Sequence, residues 1–222
     1  MNLTPIKTPK LVAKLFPNYT WNIETGKKEL FLTFDDGPTP EVTPWVLDTL
    51  NTFNAKATFF CIGKNVENHP EIFQRILNEG HSFGNHTQNH VNGWKTKTPQ
   101  YMENVLEAEK VIQYKVGNQI SEDVKLFRPP YGQLKPQQGN KVLEKGYKII
   151  MWDVLSFDWD VKVSEEECLE NVLSKSKSGS IIVFHDSIKA LRNMKYSLPK
   201  VLEYFSNEGF QFKKIVFKYT PE

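Results

Sequence analysis

Short apolar runs alternate along this chain with longer stretches whose apolar residues recur at helical spacing, and that alternation leaves few folds open. The runs fall at 30–34, 57–62, 82–85, 126–128, 148–152, 180–184 and 210–213. Between them, helical patterns cover 43–53, 70–79, 99–114, 136–145, 164–176 and 191–207. Val46, Leu47 and Leu50 share one helix face, as do Ile72, Phe73, Ile76 and Leu77, with Gly80 as a C-terminal stop. Ser164, followed three residues later by Glu167, reads as a capping box. Strands that alternate with helices pair in parallel through helical crossovers, so the expectation is an α/β domain with a barrel-like sheet of about seven strands. In such folds reactive side chains gather at the C-terminal ends of the strands.

Here the strand ends do carry them. The first run closes on Thr33-Phe34-Asp35-Asp36-Gly37-Pro38. Asp, Gly and Pro also make ordinary solvated turns. At a strand end, however, two adjacent carboxylates diverge around one site, one free to ligate a metal and the other to act as a base. The third run leads into His86-Thr87-Gln88-Asn89-His90, two histidines four residues apart. That spacing occurs on solvated surfaces and in metal sites alike; with a carboxylate from another strand end it forms a two-His-one-carboxylate set suited to a catalytic divalent ion. Arg128-Pro129-Pro130-Tyr131-Gly132 is either a rigid turn or a rigid mount for Arg128 and the Tyr131 N–H. After the fifth run come Asp153, Asp158 and Asp160 with Trp152 and Trp159; each tryptophan suits sugar stacking or core packing equally. His185 directly follows the sixth run, a position open to proton transfer or to simple core burial.

Composition narrows the classes. The 222 residues suffice for one domain with a full core. The net charge of +2, with Lys and Arg scattered, argues against a nucleic-acid binder. No apolar run reaches the roughly 20 residues of a membrane span. Lys14 and Pro17 break the longest N-terminal apolar stretch, so no secretory signal is read there. A chain starting naturally at Met1 is then expected in the cytoplasm, and one trimmed from a longer precursor at the cell envelope or outside the cell. Cys61 and Cys168 sit in apolar surroundings and form no CxxC pair, so both read as buried thiols.

Taken together, the five ordered motifs Thr33–Pro38, His86–His90, Arg128–Tyr131, Trp152–Trp159 and Val183–His185 resemble those of the polysaccharide deacetylases with a NodB-like domain, carbohydrate esterase family four. The resemblance spans residues 29 to 212, leaving 1–28 as an N-terminal extension packed on a catalytic domain of 29–215 and 216–222 as a tail. It implies a distorted, incomplete (β/α) barrel. It implies Asp36, His86 and His90 as ligands of one divalent metal ion, zinc first, with cobalt, nickel or manganese as alternatives. Asp35 resembles the general base, Arg128 its holder and His185 the general acid. The Tyr131 N–H resembles the oxyanion donor. Trp159 and Val183, with Pro130 beside Tyr131, look like substrate-contacting walls.

The implied activity is hydrolysis of acetyl groups from N-acetylated sugars such as chitooligosaccharide or peptidoglycan. An O-acetyl esterase on acetylated xylan, a cytoplasmic hydrolase of another small amide and a catalytically weak sugar-binding relative are the alternatives. No oligomeric state is implied. One position departs from the family's Asp-x-x-Asp-Trp pattern: Leu155 stands where the first Asp is expected to support the acid histidine. The expectation is therefore an unsupported His185, with Asp153, two residues back on the same strand face, as a weaker substitute.

Overall fold

In the computed structural model, which describes residues 5–117 and 124–218, every one of the seven apolar runs becomes a strand and each of the six helical patterns a helix. The strands are β1 (Tyr19–Thr20), β2 (Glu29–Asp35), β3 (Thr58–Cys61), β4 (Ser82–Asn85), β5 (Lys125–Phe127), β6 (Tyr147–Ile150), β7 (Val154–Leu155), β8 (Ile181–His185) and β9 (Gln211–Phe212). The helices are α1 (Lys10–Leu15), α2 (Val42–Thr52), α3 (Gly63–Asn68), α4 (Pro70–Asn78), α5 (Thr98–Val116), α6 (Pro136–Glu144), α7 (Glu165–Leu173) and α8 (Leu191–Asn207). The elements without a sequence signal, β1, β7, α1 and α3, are two-residue strands and six-residue helices, too short to show a period. Ser164 Oγ accepts from Glu167 N, 3.1 Å, and caps α7, which is the serine half of the expected capping box.

All pairings between named strands are parallel, in the order β1-β6-β5-β4-β3-β2-β8-β7, with β9 against the start of β2. The sheet curls into a distorted barrel left open between its ends: among the described residues β1 and β7 do not pair. The chain itself spans that opening. Met151 N donates to Thr20 O on one side and Asp153 N to Ile181 O on the other. The N-terminal segment lies over the same seam. Lys7 makes an antiparallel bridge to Val154, α1 follows, and β1 then docks on β6. Residues 1–4 and 219–222 of the expected extension and tail lie outside the described residues.

Two layers share the core. On β2, Leu30, Leu32 and Phe34 face the helices, where they join Val46, Leu47, Phe73, Val201 and Leu202. Phe31 points into the barrel with Phe60, Leu126, Ile150 and Ile181. Because side chains alternate along a strand, Thr33 and Asp35 follow Phe31 inward. On β8 the same alternation sends Ile182 and Phe184 out and Ile181, Val183 and His185 in. Asp35 and His185 are register partners across β2 and β8, so the pleat alone sets them side by side at the top of the barrel. Both cysteines are buried and unpaired. Among the described residues no helix is long and apolar enough to cross a membrane.

Candidate active site

Asp36 is the first residue beyond β2, and its φ of 82° turns the chain out of the extended conformation. That turn lets neighbouring carboxylates, which a regular strand would send to opposite faces, converge on one site. Three anchors hold the turn. Asn65 Nδ2 donates to Asp36 O at 2.7 Å, Ile62 N donates to Gly37 O at 3.0 Å, and Gly37 N donates to Asp186 Oδ1 at 3.0 Å. A Cβ on Gly37 would stand 1.9 Å from Asp186 Oδ2, so only glycine fits there.

His86 and His90 arrive from the loop after β4. Ligand atoms of Asp36, His86 and His90 all lie within 4.8 Å of one another. Asp36 Oδ1 is 3.1 Å from His90 Nε2 and 3.7 Å from His86 Nε2, yet it is buried without a hydrogen bond. An orphaned buried carboxylate oxygen facing two imidazole nitrogens fits a cation. His86 Nδ1 donates to Arg128 O at 2.8 Å, which leaves Nε2 to face Asp36 with its lone pair. Burial, outweighing the nearby carboxylates, pushes the His86 pKa down to about 4, so the ring is neutral near pH 7, as ligation requires. Burial also opposes ionisation of Asp36, but His90, His185 and His86 overcome it and hold that carboxyl far below its ordinary range.

Arg128, at 0% exposure, occupies the centre of the barrel. Its guanidinium donates to Asp35 Oδ1 at 2.7 Å, Thr33 Oγ1 at 2.7 Å, Ile150 O at 3.1 Å and Met151 O at 2.9 Å, and it lies 4.1 Å from the centre of the Phe60 ring. Burial lowers its pKa and Asp35 counters the shift. A cation so fully engaged fixes the orientation of Asp35 while leaving its other oxygen free of it.

His185 does have a supporting carboxylate, contrary to the sequence expectation, and it comes from Asp158. Asp158 Oδ1 accepts from His185 Nδ1 at 2.9 Å, and Oδ2 accepts from His185 N at 2.7 Å. Leu155 is the register partner of Val183, one inward position below the imidazole, so no side chain at 155 is level with the ring. The chain then turns at Phe157, φ 61°, and brings Asp158 back beside β8. Asp153 is no substitute either: its Oδ2 is occupied by Lys7 Nζ at 2.7 Å and Ser180 Oγ at 2.5 Å near the start of β8. Burial favours neutral His185, but the charge and hydrogen bond of Asp158 prevail, with Asp36 and Asp35 adding, and raise its pKa to about 9.

Apolar walls surround these groups. Leu155, Phe157 and Val183 form a buried cluster that Trp159, Trp152 and Ile6 complete. Trp159 stacks on Phe157 and meets the His185 ring edge-on at 4.6 Å. Pro130 is buried, whereas Tyr131, φ 61°, projects from its loop with its ring 4.6 Å from that of His90. No described residue takes the Tyr131 N–H. Asp35, Asp36, His86, His90, Arg128, Tyr131, Trp159, Val183 and His185 thus gather toward one end of the barrel, whereas Asp153 sits near the start of β8. Asp158 and Asp186 gain roles that the sequence alone did not assign. Asp186 N donates to Asp35 O at 3.0 Å, Oδ1 accepts from Gly37 N, and Oδ2 accepts from Thr43 Oγ1 at 2.5 Å. The only advance signal for Asp186 was its place directly after His185.

Known proteins resemble this chain in sequence and fold. The family model described as polysaccharide deacetylase matches residues 22–150. A peptidoglycan-N-acetylglucosamine deacetylase of Bacillus cereus is 36% identical over 195 residues, covering 87% of this chain and 69% of that protein. A chitooligosaccharide deacetylase of Azorhizobium caulinodans is 34% identical over 164 residues, 74% of this chain and 76% of that protein. The crystal structure of the Bc1960 peptidoglycan N-acetylglucosamine deacetylase, in complex with 4-naphthalen-1-yl-N-oxidanyl-benzamide, superposes with a TM-score of 0.84 at 34% identity, covering 94% of this chain and 95% of that one. By the family match, by these relatives and by its fold, the chain belongs to the polysaccharide deacetylase family.

Proposed function

We propose that this protein hydrolyses the acetamide of N-acetylglucosamine units in a glycan, releasing acetate and a free amine. One observation carries the reading: Asp35 and His185, register partners on β2 and β8, each keep a dedicated buried partner beside the Asp36, His86 and His90 group. The relatives named above, which act on peptidoglycan and chitooligosaccharide, support the glycan class.

Asp36, His86 and His90 would hold one divalent ion, which supplies positive charge to polarise the amide carbonyl and acidify a water molecule. Two histidines and a carboxylate suit zinc, and the same donors accept cobalt, nickel or manganese. Asp35, held by Arg128, takes the proton of the attacking water. The unused Tyr131 N–H stabilises the negative charge that develops on the acetyl oxygen, a contribution of about 3 kcal/mol for such a donor. His185, kept protonated by Asp158, delivers its Nε2 proton to the departing nitrogen. An amide needs that step because an amine anion is too basic to leave. Leu155, Val183 and Trp159 receive the acetyl methyl, and their packing excludes bulkier acyl groups.

Acetate release from a panel of N-acetylated and O-acetylated glycans, with zinc or cobalt added, tests the proposal. N-acetylglucosamine oligomers and peptidoglycan are the expected substrates. Release from acetylated xylan alone would replace the amidase reading with an esterase one, and no release from any glycan would overturn both.

A further inference from the structure

Four of the five tryptophans pack against apolar clusters: Trp45, Trp21, Trp152 and Trp159. Trp94 belongs to none and is 61% exposed. Its loop is nevertheless heavily braced. Within the loop, Thr96 Oγ1 donates to Asn92 O at 2.7 Å and Lys95 N to Asn92 Oδ1 at 3.2 Å. From the first turn of α6, buried Gln138 donates to Gly93 O at 3.0 Å and to Thr96 O at 3.1 Å, and from the loop after β5 Lys135 Nζ donates to Thr96 O at 2.7 Å. Asn92 Nδ2 answers by donating to Gln133 Oε1 at 2.6 Å. A Cβ on Gly93 would lie 2.3 Å from Gln133 O, so the two backbones touch. None of these bonds involves the indole. They fix the backbone that carries a large apolar ring with most of its surface in water.

The position of the loop suggests what the ring meets. Trp94 lies four residues beyond His90, and the loop that braces it is the one that presents Tyr131 beside the His90 ring. We infer that Trp94 is a preorganised stacking platform for a neighbouring pyranose ring of the glycan, outside the unit that is deacetylated. Its flat apolar face matches the C–H face of a hexose, and a loop already ordered loses little entropy on binding. This inference rests on the glycan deacetylase reading and adds a preference for oligomers over single sugars.

Acetate release from N-acetylglucosamine tetramer by metal-loaded protein, compared among wild type, Trp94→Ala and Trp94→Phe, tests it. Trp94→Ala should raise KM by about tenfold, the factor equivalent to about 1.4 kcal/mol of lost stacking, with a much smaller change in kcat. Trp94→Phe should fall between, since a smaller ring still stacks. Gln138→Ala, which frees the loop but keeps the indole, should raise KM in the same direction. A KM for Trp94→Ala within twofold of wild type would overturn the platform and leave the deacetylase reading standing. Wild type that releases no acetate from the tetramer or from any other glycan would overturn the deacetylase reading, and the platform with it.

Discussion

Replacing Asp158 with Asn keeps the shape of the side chain and removes the charge that sets His185. Asp158 meets two donors, the main-chain N–H and Nδ1 of His185. An asparagine offers one acceptor and one donor. If its oxygen keeps the main-chain N–H, its amide faces Nδ1, which must then accept. The neutral ring would carry its proton on Nε2, bound far too tightly to be given to a departing amine. The charge effect has the same sign. The His185 pKa of about 9 stands above the ordinary 6.5 because Asp158 overrides burial. A shift of that size corresponds to roughly 3 kcal/mol of preference for the charged ring. Once the carboxylate is gone, burial acts in the other direction. The acid form of His185 is lost as pH rises through its pKa, so the alkaline limb of kcat/KM marks that pKa. The limb should stand near pH 9 in wild type and fall by about 2–3 pH units in Asp158→Asn. The measurement is kcat/KM against pH on an N-acetylated oligomer and on an activated acetate ester, with metal content matched. The loss should be far greater on the amide, whose leaving group needs the proton. An alkaline limb that stays near pH 9 in the variant would refute the assignment of His185 as the acid tuned by Asp158.

Other substitutions separate the remaining roles. Asp36→Ala or His90→Ala should sharply lower metal content measured by elemental analysis, and the His86→Ala/His90→Ala protein should retain essentially none; tight binding there would dismiss the ligand set. Asp35→Asn should keep its metal and lose about 10²–10⁴-fold in deacetylation, since only the proton acceptor is removed. Gly37→Ala drives a methyl into Asp186 and should cost about 1–3 kcal/mol in urea unfolding. Leu155→Asp places a carboxylate among Val183 and Phe157 without a partner; it should destabilise by about 3–5 kcal/mol and leave the alkaline limb where it is.

How much of this was legible beforehand follows from how far each inference reached along the chain. The strands were legible because a parallel strand covered on both faces is predominantly apolar, as β2 and β8 are. The ligands and the acid–base pair were legible because they lie at or shortly after strand ends, in motifs whose order resembles that of a known family. The partner of His185 was not. To choose between residues 155 and 158 one must know the register of β7 on β8 and the turn at Phe157, and a two-residue strand announces neither. Asp186 was illegible for a related reason. Its partners Gly37 and Thr43 are more than 140 residues away, and no local pattern encodes a bond across that separation.

The seam across the open barrel bears on the order in which the chain can fold. Lys7 reaches Asp153 over a sequence separation of 146, and Asn22 bridges to Ser180. The N-terminal segment therefore has nothing to dock on until β6, β7 and the start of β8 exist. It must wait through synthesis of most of the chain, with Leu11, Leu15 and Phe16, exposed even in the finished protein, in water throughout. Contacts of such long range form late and slowly. In a nascent chain the opening between β6 and β8 is thus closed last by the N-terminal segment, and any product released before about residue 180 would lack the surface on which that segment settles.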